Sequence, residues 1–199
     1  MRGWTELEGP VVRLPHDGID TDQLIPARFM STPRSEGYGD YLLHDLRRGP
    51  DGTLDPEFPL NASRGPILIA GADFGTGSSR EAAVYALVDA GIRAVLAPSF
   101  GDIFAANAAN NGLLTVALAE KTLAALRPVL RIDLVSRSIV SGPTSLRFDL
   151  DEVTARKLIN GWDDIDLTRA HQDAISAHRE TIPAWVWPTC VRGGKGAPP

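Results

Sequence analysis

Three short apolar runs, separated by segments of helical character, constrain the fold of this 199-residue chain more than any other feature. They are PILIAG (66–71), RAVLA (93–97) and LLTVAL (113–118), and each has the length of a buried strand. Between them, SSREAAVYALVDAG (78–91) and SFGDIFAANAANNG (99–112) predict helices that end at glycines. The order β-α-β-α-β with short links predicts an α/β fold with parallel pairing and right-handed crossovers.

Weaker patterns on either side extend this core. GPVVRLP (9–15) is a short strand candidate, and residues 119–133 hold a helix followed by a strand. Two β-rich runs around Ser141-Gly142-Pro143 predict a hairpin, which we expect to form a smaller β element. The segment DEVTARKLINGW (151–162) predicts an amphipathic helix. Together these patterns predict a mostly parallel central sheet flanked by helices.

Residues 31–64 and the C-terminus show no such periodicity. The 31–64 segment is rich in Gly, Pro and charge, and predicts a long, partly ordered loop with one short helix near 39–48. A Gly-, Pro- and Lys-rich sequence ends the chain. We therefore expect a single domain over residues 1–188, with 31–64 as a long loop-rich segment, and a disordered tail over 189–199.

Composition argues against several classes of protein. The formal net charge is -5, and no run of Lys and Arg offers a footprint for phosphates, which argues against nucleic-acid binding. No apolar run approaches the roughly 20 residues of a membrane span. The N-terminal MRGWTELEGPVV lacks the apolar region of a signal peptide. We expect a cytoplasmic protein that binds neither nucleic acid nor membrane.

The cysteine count limits the cofactors that this chain can hold. Its single cysteine is Cys190, so no disulfide can form within the chain. One thiolate also cannot hold an iron–sulfur cluster or a Cys-rich zinc site, because such sites need several cysteines. Any cluster would therefore have to be held by another polypeptide.

The segment GADFGTGSSREAA (71–83) is the leading candidate for a functional site. It follows a predicted buried strand and precedes a predicted helix, which is where ligands bind in open α/β sheets. Gly75 and Gly77 allow positive φ and the close approach of a ligand. The first N–H groups of the helix and the Arg80 guanidinium both favour an anion such as a carboxylate.

A purely structural interpretation of the same stretch is also open. Ser78 and Glu81 fit a capping box, with Ser78 at the N-cap of the helix and Glu81 three residues later. Two nucleotide-binding interpretations fail, because the stretch lacks both the Gly-Lys-Ser/Thr end of a P-loop and the G-x-G-x-x-G spacing of dinucleotide loops.

Two other polar clusters have both a structural and a functional interpretation. Asp20-Thr21-Asp22 is typical of an Asp-rich turn, and it can equally supply an acid that orients groups in a shared cleft. Ser99 and Asp102 fit the capping box of the second predicted helix. The four histidines show no metal-ligand spacing and no Ser-His-Asp order is present, so we expect no metal ligand in this chain.

Taken together, four stretches resemble the small-subunit family of 3-isopropylmalate dehydratase (isopropylmalate isomerase), which is related to the swivelling fourth domain of aconitase. They lie in order across almost the whole chain, and the first three form a specific combination. The stretches are DGIDTDQLIPARF (17–29), GADFGTGSSREAA (71–83), AVLAPSFGDIFAANAANNGLL (94–114) and the weaker LTRAHQDAISAHRE (167–180).

This resemblance implies a swivelling β/β/α domain and a hydro-lyase subunit that is active only with a large subunit. Members of the family isomerise 2-isopropylmalate and 3-isopropylmalate in leucine biosynthesis, by dehydration and rehydration of the dicarboxylate. The resemblance places a [4Fe–4S] cluster in the large subunit, where it acts as a Lewis acid on the substrate. The expected partners are thus that large subunit and a small dicarboxylate substrate, and no cofactor is expected on this chain.

The resemblance also implies that the loop-rich segment 31–64 lies near the active site, and it implies roles for individual residues. Ser78 looks like the catalytic base that removes a proton next to a substrate carboxylate, and Asp22 looks like an acid that supports the site from behind. The residues that it implies in substrate binding are Ser79, Arg80, Arg28, Gly75, Gly77 and Thr76.

Three departures from the family pattern keep other functions open. The family commonly has Cys where this chain has Thr76, and His where it has Ala82. The segment STPRSEGYG (31–39) differs from the Arg-Thr-Gly pattern associated with isopropylmalate enzymes. The alternatives are a related subunit acting on homoaconitate, on citraconate or 2-methylmalate, or on dimethylmalate, and a partner module without catalytic function.

Overall fold

A computed structural model describes residues 3–181 of the chain. The chain divides into a larger unit that ends at Asp163 and a smaller unit that begins at Asp164. The smaller unit contains two helices, α7 (Asp164–Arg169) and α8 (Gln172–Thr181). The predicted domain end at 188 and the predicted disorder of 189–199 fall outside the described residues.

The larger unit is built on one seven-stranded sheet. Its strands are β1 (Glu6–Leu14), β2 (Ile67–Ala70), β3 (Ala94–Ala97), β4 (Leu114–Ala117), β5 (Val129–Asp133), β6 (Ser138–Ser141) and β7 (Thr144–Arg147). Their spatial order is β4-β3-β2-β1-β5-β6-β7. The predicted apolar runs thus form β2, β3 and β4, which pair in parallel, as expected.

The sheet is mixed, and the prediction of a mostly parallel sheet is wrong. β1–β2, β2–β3 and β3–β4 are parallel, whereas β1–β5, β5–β6 and β6–β7 are antiparallel. The cause is the length of β1, which pairs with β2 from Val11 to Leu14 and with β5 from Glu6 to Pro10. The predicted hairpin therefore extends the main sheet through β5 and does not form a separate element.

Helices and turns cover the sheet. They are α1 (Thr21–Leu24), α2 (Pro59–Ala62), α3 (Glu81–Asp89), α4 (Asp102–Asn110), α5 (Glu120–Ala125) and α6 (Glu152–Asn160). Alternate strand residues belong to two apolar clusters: Leu68 and Val95 pack with α3 and α4, while Ile67 and Leu96 pack with α5 and α6. This division follows from the period of two in a strand, whose successive side chains point to opposite faces.

The 31–64 segment packs against the core through turns. Leu42 and Leu43 are fully buried, and the Leu43 N–H donates to the Leu24 carbonyl at 3.0 Å. The helix predicted near 39–48 is wrong, because a 3₁₀ turn at Gly39–Tyr41 and a series of further turns occupy that stretch. No helix within residues 3–181 is long and apolar enough to cross a membrane.

Candidate active site

Connections that follow three neighbouring parallel strands meet at one edge of the sheet. The Gly75 N–H donates to the Ile19 carbonyl at 2.7 Å, which joins the loop after β2 to the segment after β1. The Phe74 N–H donates to the Ser99 carbonyl at 3.1 Å, which joins the same loop to the connection after β3. The glycine-rich loop is therefore the middle of three connections at the carboxyl edge, where open α/β sheets bind ligands.

Position 75 requires a glycine because of its positive φ and because the Phe104 ring lies against it. Its φ is +74°, and a Cβ placed there would lie 2.2 Å from the Phe104 ring. A Cβ on Gly101 would likewise lie 2.6 Å from the Gly75 carbonyl oxygen. Because Gly75 and Gly101 have no side chains, the first turn of α4 packs directly against the loop after β2.

The helices α3 and α4 both begin at this edge without a side-chain cap. The capping-box interpretation of Ser78 and Glu81 is wrong. Helix α3 begins at Glu81, its N-cap residue is Arg80, and no side chain caps it. The Glu81 carboxylate instead accepts a hydrogen bond from the Asn111 side-chain amide at 2.7 Å. The first N–H groups of α3 are consequently left without a side-chain acceptor.

The start of α4 shows the same pattern. Gly101 is its N-cap residue and no side chain caps it, so the box predicted from Ser99 and Asp102 is also wrong. The Ser99 hydroxyl donates to the Asp73 carboxylate at 2.7 Å and accepts from the Asp73 N–H at 2.8 Å. Asp73 has a φ of +56°, unusual for a residue with a side chain, and this exchange with Ser99 holds it there.

A pocket of about 230 Å³ lies between these two helix starts. Free N–H groups and the helix dipole favour negative charge at a helix N-terminus, and here two such ends border one pocket. Arg80 is the only cationic side chain among the residues that line it. Its lining consists of Thr21, Gly75, Thr76, Gly77, Ser78, Arg80, Gly101, Asp102, Ile103 and Phe104.

The predicted site residues Arg80 and Asp22 are brought together. The Arg80 guanidinium donates to the Asp22 carboxylate, and the Arg80 side chain is only 20% exposed. Asp22 lies in α1, where the Asp20 carboxylate caps the Gln23 N–H at 2.7 Å and the Gln23 side chain accepts from the Asp20 N–H. The pair fixes Arg80 at the edge of the pocket.

Thr21 is a pocket residue that the sequence analysis did not assign. It is 2% exposed, and its hydroxyl donates to the Ser78 carbonyl at 2.9 Å. Its N–H donates to the Thr76 carbonyl at 2.9 Å, so Thr21 fastens the loop at two points. The Asp20/Gln23 capping box was the available signal for α1 and for this placement.

Ser78 and Ser79 are both exposed, but only Ser78 is among the residues that line the pocket. The Ser78 hydroxyl has no hydrogen-bond partner within residues 3–181. Its carbonyl is held by Thr21, so the hydroxyl is presented from an anchored backbone. Such a hydroxyl is available to a ligand in the pocket.

Arg28 lies outside the pocket lining. Its guanidinium forms two hydrogen bonds with the Asp45 carboxylate, one of them at 2.9 Å, and lies 4.5 Å from the centre of the Phe29 ring. These bonds, together with one from His44, lower the pKa of Asp45 from 3.8 to about 2. The structure therefore does not place Arg28, a predicted substrate-binding residue, among the residues that line the pocket.

The first turn of α4 is the main part of the pocket that the sequence analysis did not assign. It contributes Asp102, Ile103 and Phe104. The available signal was their position directly after β3, at the same sheet edge as the glycine-rich loop. Within residues 3–181 no group of three or more His, Cys, Asp or Glu side chains is placed to hold a metal ion.

Comparison with known proteins gives the family. The model of the aconitase C-terminal domain family matches residues 1–121. The 3-isopropylmalate dehydratase small subunit of Bifidobacterium longum subsp. infantis is 39% identical, and the match covers 94% of this chain and 90% of the relative. The subunit of the same name from Acidothermus cellulolyticus is 42% identical, over 93% of this chain and 96% of the relative.

A solved structure agrees with these sequence relatives. The crystal structure of 3-isopropylmalate dehydratase from Methanocaldococcus jannaschii is 26% identical, with a TM-score of 0.65, and the match covers 87% of this chain and 99% of that one. The α/β class and the resemblance found in the sequence are thus confirmed. The chain belongs to the aconitase C-terminal domain family and, within it, to the small subunits of the hydro-lyase 3-isopropylmalate dehydratase.

Proposed function

We propose that this chain is the catalytic small subunit of an enzyme that interconverts 2-isopropylmalate and 3-isopropylmalate by dehydration and rehydration, with Ser78 as the base. The observation that carries the proposal is the pocket itself. An exposed hydroxyl at Ser78, the Arg80 guanidinium and two uncapped helix starts border one space. The names of the relatives supply the substrate class.

Carboxylate binding would rest on Arg80, the cation of a pocket lining that also contains Asp102. The Arg80 guanidinium offers two parallel N–H donors, and such a fork matches the two oxygens of a carboxylate. Gly75, Thr76 and Gly77 expose backbone at the pocket wall, where a side chain at Gly75 would meet Phe104. In this scheme Ser79, next to Ser78, binds the outer part of the same carboxylate.

The role of Ser78 is to accept a proton. A serine hydroxyl is weakly acidic, so it acts as a base only where its alkoxide is stabilised. The N–H groups at the start of α3 and the Arg80 charge supply that stabilisation, which is worth several kcal/mol in a closed site. In its alkoxide form, the Ser78 oxygen takes the proton from the carbon next to the carboxylate and becomes a neutral hydroxyl. The electron pair left on that carbon forms the double bond as the substrate hydroxyl departs.

Departure of that hydroxyl would be assisted by a Lewis acid. With one cysteine in the sequence, the chain cannot hold an iron–sulfur cluster by itself. A [4Fe–4S] cluster on a large subunit would supply the Lewis acid, and the pocket edge would close against that partner. Asp22 acts by holding Arg80, and Arg28, which pairs with Asp45, would have to exchange partners to contact the substrate.

Two departures from the family pattern, Ala82 and the 31–39 segment, bear on this proposal in different ways. Ala82 is 8% exposed and packs in the apolar core, outside the pocket lining, which supports a catalytic subunit over a non-catalytic module. The 31–39 segment differs from the Arg-Thr-Gly pattern associated with isopropylmalate enzymes, which keeps a related dicarboxylate open as the substrate. There, Arg34 lies 3.5 Å from the centre of the Tyr85 ring and Tyr38 donates to Asp89. A subunit for a related dicarboxylate is accordingly the second candidate function.

Reconstitution tests the proposal. The chain would be co-expressed with the cluster-bearing large subunit of the same organism, and turnover of 3-isopropylmalate, homoaconitate, citraconate and dimethylmalate compared. We expect activity only in the pair, with the highest kcat/KM for 3-isopropylmalate. A higher kcat/KM for another dicarboxylate would favour the second candidate, and no turnover of any of them would contradict catalytic function.

A further inference from the structure

One large apolar side chain of the pocket lining is exposed. Ile103 is 53% exposed and lines the pocket from the first turn of α4. The other large apolar residue of the lining, Phe104, is 3% exposed and packs against the rings of Phe74 and Phe100. Of these two large apolar residues, Ile103 is therefore the one that offers accessible apolar surface to a ligand in the pocket.

The position of Ile103 on α4 explains this exposure. Phe104 and Ala108 are buried on the core-facing side of the helix. Ile103 comes one residue before Phe104, about 100° around the helix, and so projects away from that side. A single exposed isoleucine needs no explanation on an ordinary surface. Here, however, it shares a pocket with the Arg80 charge and the Ser78 hydroxyl.

A pocket of this kind suits a ligand that is charged at one end and carries an aliphatic group. An anion at Arg80 and the helix starts leaves the Ile103 side chain to meet the uncharged part of the same molecule. Contact with an aliphatic branch would remove apolar surface of both partners from water, which is favourable in proportion to area. A ligand bearing only carboxylates and hydroxyls would gain nothing from this side chain.

We infer that Ile103 is a specificity-determining residue, which contacts the isopropyl group of the substrate and favours it over smaller alkyl groups. The inference rests on the proposed function, since it takes the dicarboxylate bound at Arg80 as given. It assigns Ile103 no part in proton transfer. Its effect should therefore appear in binding and should depend on the size of the alkyl group.

The test uses the reconstituted pair with Ile103→Ala and Ile103→Val. The KM for 3-isopropylmalate is measured, together with the Ki of 3-methylmalate and of malate as competitors. A methylene group in such a pocket is worth roughly tenfold in discrimination. We expect Ile103→Ala to raise the KM for 3-isopropylmalate about tenfold, Ile103→Val to raise it less, and both to change the Ki of malate by less than about twofold.

Val153→Ala is the matched control, because Val153 is 54% exposed on α6 and does not line the pocket. It should leave all three constants unchanged. An equal change for all three compounds in Ile103→Ala, or no change, would overturn the role of Ile103 while leaving the proposed function intact. Failure of the unmodified pair to turn over 3-isopropylmalate would overturn both.

Discussion

The guanidinium of Arg80 donates a hydrogen bond to the carboxylate of Asp22, 58 positions earlier in the sequence. This bond links α1, which follows the first strand, to the start of α3, which follows the second. Arg80 lines the pocket and Asp22 does not. The pair thus holds a pocket cation in place from outside the pocket, and the supporting role of Asp22 in catalysis stays a prediction.

Replacing Asp22 should weaken substrate binding more than it slows the chemistry. In Asp22→Asn the Arg80 side chain loses its charged partner and samples other rotamers, so less of the protein is ready to bind a carboxylate. We expect the KM for 3-isopropylmalate to rise about three- to tenfold and kcat to change by less. The unfolding free energy should fall by under about 1 kcal/mol, because the Asp22 side chain is 55% exposed.

A control separates this effect from the general loss of an ion pair. Glu6 and Arg131 form an exposed pair at 3.1 Å between β1 and β5. Glu6→Gln should leave both kinetic constants unchanged in the reconstituted enzyme. A KM for Asp22→Asn that matches the unmodified protein would show that Arg80 does not need Asp22 as a support.

Substitution of Gly75 should be more costly than substitution of another glycine with positive φ. Gly75→Ala combines a φ of +74° with a Cβ that would lie 2.2 Å from the Phe104 ring. Gly52 has a φ of +79° but nothing within 4 Å of its added Cβ. We expect Gly52→Ala to lower the unfolding free energy by about 1 kcal/mol and Gly75→Ala by about 3 kcal/mol.

Urea denaturation of both variants measures this difference. The Gly52→Ala value gives the cost of the backbone conformation alone, and the excess in Gly75→Ala gives the cost of crowding Phe104. Equal losses in the two variants would mean that α4 is free to move away from the loop after β2.

The pair formed by Arg28 and Asp45 should make stability depend on pH at the acid end. The bonds from Arg28 and His44 hold the pKa of Asp45 at about 2, below its ordinary 3.8. A lowered pKa stabilises the folded state above the unfolded value, so this contribution is complete above about pH 4 and disappears as the pH falls through 2. Both side chains are more than half exposed, so screening by solvent keeps this contribution small.

Asp45→Asn tests that dependence. The difference in unfolding free energy between the unmodified protein and the variant should be largest near pH 6 and should shrink toward pH 2. Urea denaturation at several pH values across this range measures it. A difference that stays constant with pH would show that the charge on Asp45 does not stabilise the fold.

The sequence predicts the strands next to the pocket and the C-terminal ends of α3 and α4 better than it predicts the N-terminal starts of these helices. Strands β2, β3 and β4 fall within the predicted apolar runs, because a strand buried on both faces needs no polar residue. The α3 and α4 helices are followed by Gly91 and Gly112, whose φ values of +90° and +76° are the reason that glycine is needed there.

The predicted starts of the two helices are wrong because their polar residues bond across the fold. Ser99 bonds to Asp73, 26 positions away, instead of capping α4. Glu81 bonds to Asn111 instead of completing a box with Ser78. A local pattern cannot distinguish a cap from such a tertiary contact, and the pairing of β1 with β5 escaped prediction for the same reason.

The kcat of Ser78→Ala in the reconstituted enzyme tests the role of Ser78 as the base most directly, with circular dichroism to confirm the fold. A positioned base contributes about 10²–10⁴-fold, so we predict that kcat falls by at least about 100-fold while the melting temperature stays within a few degrees. Ser145→Ala, an exposed serine on β7, should keep full activity. A kcat for Ser78→Ala close to that of the unmodified enzyme would contradict the assignment of Ser78 as the base.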